Sequence, residues 1–251
     1  MKKQLLLVVG LCAGFIASAA ADSRVAVYSP GQSQPVVLEG INTLQQLTLN
    51  PKLAGRTWWP GTVIAEQLAT AVQLERQRQL LARLGALSAD LRQDNDLDLA
   101  NSVDRVRSQV AALRVTGRQF VSLDADVIRL QPGANRRLSG DYSLYTLAKP
   151  TSVHIFGVLT PTGSQPFQVS RDADDYLQTH QRLSGAERSY AWVILPDGQA
   201  KSVPVAYWNR RHNEVAPGSA IYVGFSSWAL PRAYQDVNEN IVSLLTHRIP
   251  D

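Results

Sequence analysis

The sequence predicts an α+β chain: two tandem β-grasp domains, the first carrying a helical hairpin insertion, followed by a C-terminal amphipathic helix. Three observations carry this reading. The segment V-A-V-Y-S-P-G-Q-S-Q-P-V-V-L near the start is echoed by V-H-I-F-G-V-L-T-P-T-G-S-Q-P-F-Q-V, each a pair of apolar β-rich runs around a Gly/Ser/Pro turn. Ser33-Gln34-Pro35 matches Ser164-Gln165-Pro166 at an offset of 131 (164 − 33), and Asn135-Arg136-Arg137 matches Asn209-Arg210-Arg211 at 74 (209 − 135). The offsets differ by 57 (131 − 74), close to the length of the one long helical stretch in mid-chain, about 62–115. Two copies of one β module, the first interrupted by helices, follow.

Residues 1–21 read as a signal peptide. Lys2 and Lys3 precede an apolar run from Leu5 to Ile16, and Ala17-Ser18-Ala19 and Ala19-Ala20-Ala21 offer small residues for cleavage. That run is short of the ~20 residues a bilayer span needs, and no later segment approaches the length. The mature chain is therefore expected to be exported without a transmembrane span. The single cysteine, Cys12, lies inside this run and follows Leu11, where a lipoprotein box wants a small residue. Cleavage after Ala21 leaves no cysteine for a disulfide, a thiolate metal site or a nucleophile. Without Lys2 and Lys3 the basic residues fall from 25 to 23 against 21 acidic ones, a charge of +2 (23 − 21). That near balance gives no nucleic-acid footprint.

The first domain, 22–148, opens with a hairpin, Val25 to Tyr28 and Val36 to Leu38 across Pro30-Gly31. Leu44 to Leu49 is a short helical turn stopped by Asn50-Pro51, and Trp58-Trp59-Pro60-Gly61 closes that segment. Thr62 reads as a helix cap with Glu66 in the first turn. Apolar positions 64, 65, 68 and 72, then 80, 81 and 84, predict an amphipathic helix ending at Gly85. Ser88 restarts the pattern, and Leu99, Val103, Val106, Val110 and Leu113 form one face of a second helix ended by Gly117. Beyond Gln119 the period drops to two. F-V-S-L, D-V-I-R-L and Y-S-L-Y-T-L read as strands separated by Asp124-Ala125-Asp126 and Pro132-Gly133-Ala134-Asn135.

Lys149-Pro150 opens the second domain, 149–228: a hairpin from Val153, a helix over 173–180 capped by Ser170, and strands at 190–195 and 201–207 joined by Pro196-Asp197-Gly198. A-P-G-S-A-I-Y-V-G-F closes it. Strand–strand–helix–strand–strand of this size fits a small mixed sheet gripping one helix, the β-grasp arrangement. In the tail, 229–251, Val237, Ile241, Leu244 and Leu245 share a helix face, with Asp236 and Glu239 near the start and His247-Arg248 near the end. This face either packs on its own second domain or contacts a partner or membrane surface.

The chemistry is sparse. His154, His180, His212 and His247 show no metal-ligand spacing, and no nucleophile elbow, phosphate loop or dinucleotide fingerprint is present. No cofactor or metal is expected. Asp124 and Asp126 share parity and are the one pair that an acid–base glycan-modifying enzyme would use, although turn and cap roles account for them. Asp172, Asp174 and Asp175 open a helix, where the dipole favours acids. The binding candidates are Arg118, at the end of the helical stretch, Arg136 and Arg137 before a strand, and Trp58 and Trp59 at the other junction. An arginine fork beside aromatic rings holds a carboxylate-bearing sugar. The alternative has Arg118 salt-bridging an aspartate of the 94–98 segment while the tryptophans cover the core.

W-W-P-G-T, the helical stretch, T-G-R-Q-F-V-S-L-D-A-D-V-I-R-L-Q-P-G-A-N-R-R-L-S-G-D-Y-S-L-Y and A-P-G-S-A-I-Y-V-G-F together resemble the GfcC family of capsule biosynthesis proteins across the whole mature chain. The second domain, with P-x-G…D-x-x-x-x-L…P-D-G…P-G-S-x-I-x-V, is also similar to the sugar-binding β-grasp units of outer-membrane polysaccharide export proteins. The resemblance implies a periplasmic, non-enzymatic accessory protein of capsule or exopolysaccharide export. Its implied partners are the extracellular polysaccharide, an outer-membrane polysaccharide export protein, or both. Unlike the exporters, this chain keeps no lipidation cysteine after cleavage and its tail is short for a pore-forming helix, so a role beside an exporter is expected.

Overall fold

The computed structural model describes residues 23–55, 57–209 and 211–250. The expected signal peptide, 1–21, lies outside the described residues, as does Arg210 of the second Asn-Arg-Arg echo.

Strands β1 (Arg24–Tyr28) and β2 (Val36–Glu39) pair as the expected hairpin, with Gly31 at φ +78 in its turn. Helix α1 (Leu44–Thr48) follows, its first turn capped by the Thr43 hydroxyl, which accepts from the Gln46 amide. Then come β3 (Val63–Glu66), the long helices α2 (Gln67–Gln93) and α3 (Leu97–Ala112), the short α4 (Ala125–Leu130) and β4 (Asp141–Tyr145). The sheet runs β2-β1-β4-β3, with β1 parallel to β4 and the other pairs antiparallel. Val25, Val27, Leu38, Ile64 and Leu144 form its inner face against Leu44 and Leu47 of α1 and Ile128 of α4.

The second sheet has the order β10-β9-β11-β5-β7. Its strands are β5 (Ser152–Gly157), β7 (Gly163–Pro166), β9 (Tyr190–Ile194), β10 (Ala200–Pro204) and β11 (Ala220–Val223). A two-residue pair, β6 (Leu159–Thr160) and β8 (Gln181–Arg182), sits beside it, and helix α5 (Ala173–Leu177) follows β7. As in the first sheet, the last strand inserts parallel to the first: β11 lies between β5 and β9.

The two units share more than order. Thr43, the cap of α1, bridges Arg137, and Asp172, the cap of α5, bridges Glu214. Ile64 pairs with Leu144, and Val193 with Ile221. The early members of these pairs are offset by 129 (172 − 43 and 193 − 64) and the late ones by 77 (214 − 137 and 221 − 144). The extra length is thus 52 (129 − 77) rather than the 57 read from the sequence echoes. Ser33-Gln34-Pro35 lies in the turn before β2 whereas Ser164-Gln165-Pro166 lies inside β7, so those three identities are not equivalent positions.

Several expected boundaries change, each for a physical reason. Thr62 does not cap a helix. Val63, Ile64 and Ala65 form strand β3, and because all three are buried the run lacks the alternation that separates strand from helix. Gly85 does not end α2. The helix continues because Leu80, Leu84, Leu87 and Leu91 pack against Leu99, Val103, Val106 and Val110 of α3, and burying each such side chain is worth ~1.5–3 kcal/mol against ~1 kcal/mol for a helical glycine. D-V-I-R-L is helix α4, not a strand: the Asp124 carboxylate accepts from the amides of Asp126 and Val127, and only Ile128 is buried. F-V-S-L is not part of a strand and follows β3 through the Gln119 amide, which donates to the Ile64 carbonyl at 2.8 Å. Asp172 and Asp175 form the capping box of α5, while Ser170 sits at φ +59 outside the helix.

The helices inserted in the first unit pack on the second. Gln109 of α3 brackets Gly157 of β5: its Nε2 donates to the Gly157 carbonyl at 3.0 Å and its Oε1 accepts from the Gly157 amide at 2.8 Å. Gly157, at φ +117, lies so close to β11 that a Cβ would meet the Val223 carbonyl at 2.0 Å. Helix α6 (Val237–Thr246) completes the layer. Its Asn238 Oδ1 accepts from the Tyr222 hydroxyl at 2.9 Å and the Phe225 amide at 2.8 Å, and its Nδ2 donates to the Phe225 carbonyl at 2.7 Å. Phe156 and Tyr222, with ring centres 5.8 Å apart, are covered from this side. The face of Val237, Ile241, Leu244 and Leu245 is 0–2% exposed and belongs to the same core. Of the two alternatives for this face, the structure has the one in which it packs on the chain itself. No helix among the described residues is long and apolar enough to cross a membrane.

Candidate functional site

The seam between the two sheets is built by two short sequences. In T-G-R the chain leaves the helical pair and crosses the first turn of α2 at Gly117. A Cβ there would lie 2.3 Å from the Thr70 amide nitrogen and 2.4 Å from the Ala69 carbonyl carbon. The Thr70 hydroxyl accepts from the Gly117 amide at 2.9 Å, and the Gly117 carbonyl accepts from the Glu66 amide at 3.1 Å. In W-W-P-G the ring of Trp58 covers Gly61, where a Cβ would sit 2.5 Å from the ring. The Trp58 carbonyl accepts from the Thr62 hydroxyl at 2.9 Å, and Trp59 packs against the first core. Both motifs thus owe their glycines to close approach.

Between them opens a groove of about 830 Å³. Trp58, Trp59, Pro60, Phe120, Val121 and Leu123 line its apolar part, and Asp124, Asp126, Asp197 and Gln199 are among its polar residues. Arg118 lines it too, 7% exposed and bridged to Ala65 beside β3. Its Nη2 donates to the Pro196 carbonyl at 2.7 Å, and its guanidinium carbon lies 5.9 Å from the centre of the Phe120 ring. Gly198, at φ +89, leaves room for the guanidinium under the β9–β10 turn, since a Cβ there would be 2.9 Å from it. Burial lowers the Arg118 pKa to about 10, with nearby Asp197 pulling it up and Arg248 pushing it down. The group is still a cation at neutral pH. Its neighbours are this turn, not the expected aspartates of the 94–98 segment.

The groove therefore gathers Trp58, Trp59, Arg118, Asp124 and Asp126. It does not include Arg136 and Arg137. Those are exposed beside α1, where the Arg136 carbonyl accepts from the Leu44 amide and Asn135 Oδ1 accepts from the Gln45 amide at 3.1 Å. Asn-Arg-Arg here holds the start of α1. Asp124 is committed to capping α4, and Asp126 pairs with Arg129 at 3.1 Å in solvent. Sequence reasoning missed Phe120, Asp197 and Gln199. Phe120 was expected in a strand, and the other two sit in a turn whose approach to Arg118, 79 residues earlier (197 − 118), leaves no mark in the local pattern.

Comparison with known proteins places the chain in a class. The family described as "Capsule biosynthesis GfcC, N-terminal" matches residues 21–149 and "Capsule biosynthesis GfcC C-terminal" matches residues 161–250. The chain belongs to the GfcC capsule biosynthesis family. It is similar to a protein of Escherichia coli (strain K12) named "Uncharacterized protein YjbG", 42% identical over 250 residues and covering 100% of both chains.

Proposed function

We propose that this protein is a periplasmic, non-enzymatic accessory of capsule or exopolysaccharide assembly and export, and that it holds a segment of the polysaccharide in the seam groove. On this reading both sheets are β-grasp units, and the partner that receives or delivers the glycan is an outer-membrane polysaccharide export protein. The observation that carries it is the groove's lining: aromatic rings for the apolar faces of sugar rings, beside carboxylate and amide groups that accept and donate to hydroxyls. Its volume, about 830 Å³, is in the range of small-molecule sites.

The electrostatics shift the expected ligand. Among the described residues, Arg118 is the one cation lining a groove that also holds three carboxylates, Asp124, Asp126 and Asp197, and its fork is already donating to Pro196. A neutral stretch of glycan suits this balance better than a carboxylate-bearing sugar. The enzymatic alternative needs Asp124 and Asp126 free for proton transfer. The cap bonds of Asp124 and the Arg129 contact of Asp126 weigh against it.

The test is calorimetric titration of the chain lacking residues 1–21 with neutral oligosaccharides cut from the secreted polysaccharide of the source cells. Phe120→Ala, which removes an exposed ring, should weaken binding about tenfold, the equivalent of ~1.4 kcal/mol. The oligosaccharides should be recovered unchanged in length. Equal binding by Phe120→Ala and the parent chain would remove the groove as the site, and shortened products would restore the enzymatic alternative.

A further inference from the structure

At the end of the β9–β10 hairpin away from the Asp197 turn, three aromatic rings stand in solvent. Tyr190 opens β9, and Tyr207 and Trp208 follow β10; they are 51%, 98% and 74% exposed. None belongs to either hydrophobic core. The loop that carries Tyr207 and Trp208 is tied to Ser189, the residue before Tyr190. The Ser189 carbonyl accepts from the Val205 amide at 2.9 Å and from Asn209 Nδ2 at 3.2 Å, while Asn209 Oδ1 accepts from the Ala206 amide at 3.0 Å. Large rings held half or more in water bury little for the fold, and such patches mark binding surfaces. Tyr190, Pro204, Trp208, Asn209 and Arg211 line a cleft of about 510 Å³ there.

This cleft and the seam groove lie along one strand. Gln199, just before β10, lines the groove, and Pro204, the last residue of β10, lines the cleft. Five residue steps of extended chain (204 − 199) separate them by roughly 17 Å. β10 is an edge strand, paired only with β9 among the described residues, so its outer N–H and C=O groups face away from the sheet. Lys201 and Ser202 are exposed along it. The strip between the two sites is therefore polar and rich in hydrogen-bonding groups.

We infer that the Tyr190–Trp208 cleft is a second glycan subsite, joined to the seam groove by the β10 edge, so that one polysaccharide chain is held at both ends of the hairpin. This rests on the reading of the groove as a glycan site. Trp208 and Tyr190 stack on sugar rings, Asn209 and Arg211 meet hydroxyls, and Lys201 and Arg211 supply cations for acidic substituents that the carboxylate-rich groove does not favour. Two linked subsites bind a chain long enough to reach both far more tightly than either binds alone.

The probes are the secreted polysaccharide of the source cells and the disaccharides obtained from it. Trp208→Ala should lower affinity for the polymer on the order of a hundredfold and leave disaccharide binding at the groove within about twofold. Phe120→Ala should weaken both. If Trp208→Ala binds polymer like the parent while Phe120→Ala does not, the second subsite is refuted and the groove stands. If the parent chain binds neither probe, the groove reading fails and the inference with it. Equal loss of polymer and disaccharide in Trp208→Ala would mean one site, not two, and also refutes it. Should Trp208→Ala unfold, hydroxyl-radical footprinting of the parent chain decides: Tyr207 and Trp208 protected by polymer but not by disaccharide supports the inference, and no protection overturns it.

Discussion

Gly117→Ala is the sharpest test of how the seam is made. Gly117 has no need of left-handed backbone, so any penalty is steric. The added methyl would lie 2.3, 2.4 and 2.6 Å from the Thr70 nitrogen, the Ala69 carbonyl carbon and the Ala69 Cβ. Ordinary contact begins near 3.4 Å, so the strand of chain or the first turn of α2 must move by about 1 Å (3.4 − 2.4). The obstacle is helix backbone, which cannot swing aside as a side chain does. Movement also strains the bonds at this crossing: Gly117 amide to Thr70 hydroxyl, Glu66 amide to Gly117 carbonyl, and Thr116 amide to the His247 carbonyl at 2.9 Å. Overpacking costs ~1–3 kcal/mol and each of the three weakened bonds up to ~1 kcal/mol, giving about 1–6 kcal/mol in all. For a chain of this size the middle of that range, about 3 kcal/mol, is a fall in Tm of roughly 6–12 °C. Circular dichroism melts of the parent, Gly117→Ala and Gly133→Ala measure it. Gly133 has nothing within 4 Å of its would-be Cβ and should melt at the parent's temperature or up to about 4 °C above it. A Gly117→Ala melt with no fall below the parent would show that the two segments do not cross in contact.

Arg118→Ala should also destabilise, by about 1–3 kcal/mol, because it leaves the Pro196 carbonyl without its donor in a buried place, whereas Arg136→Ala on the exposed surface should leave Tm unchanged; equal melts for the two variants would contradict the structural role of Arg118. The Arg83–Asp236 pair, bonded at 2.6 and 2.7 Å between α2 and the start of α6, predicts an acid-dependent contribution. The Arg83 hydrogen bond holds the Asp236 pKa at about 2, below the ordinary 3.8, so the stabilisation is present above about pH 4 and lost as pH falls through 2. Both side chains are more than a third exposed, which limits it to below about 1 kcal/mol. Urea unfolding should show Asp236→Asn less stable than the parent at about pH 6, with the gap closing near pH 2; a gap independent of pH would assign it to another cause.

What the sequence made legible follows how local the cause is. The β1–β2 hairpin, α1 and α3 declare themselves through apolar runs about a turn, the Asn50-Pro51 stop and a three-four apolar spacing, all within a few residues. β3 hides because burial on both faces erases its period. α2 outruns Gly85 because the decisive contacts are with α3, not within the helix. α4 reads as strand because Val127 and Ile128 are β-branched, yet Asp124 capping decides it. At the site, Trp58, Trp59 and Arg118 announce themselves by residue type at junctions of pattern. Arg136 and Arg137 look similar but flank a backbone anchor for α1. Asp197 and Gln199 reach the groove only through the folded position of the β9–β10 turn, which no window of sequence contains.

The two sheets share a connectivity but differ in what covers them, and that difference explains where the groove lies. The second sheet is covered by α3 and α6 over Phe156 and Tyr222. The corresponding alternation in the first sheet leaves Ala26, Val37, Ser143 and the stacked Tyr28–Tyr145 pair only half-buried or exposed. The helices emitted by the first unit are thus spent on the second. They span the two sheets, and the chain returning from them at Gly117 must pass between the edge of β3 and the β9–β10 turn. A buried guanidinium is a costly way to fill such a passage, yet Arg118 reaches both: its backbone bridges Ala65 and its side chain donates to Pro196. The groove opens where that returning chain departs toward α4. Its walls come from both units, so its width depends on the seam that Gly117 and Arg118 set. On the proposed function, variants at these two positions should therefore change glycan binding through stability and groove shape together, while Phe120→Ala should change binding with the fold intact.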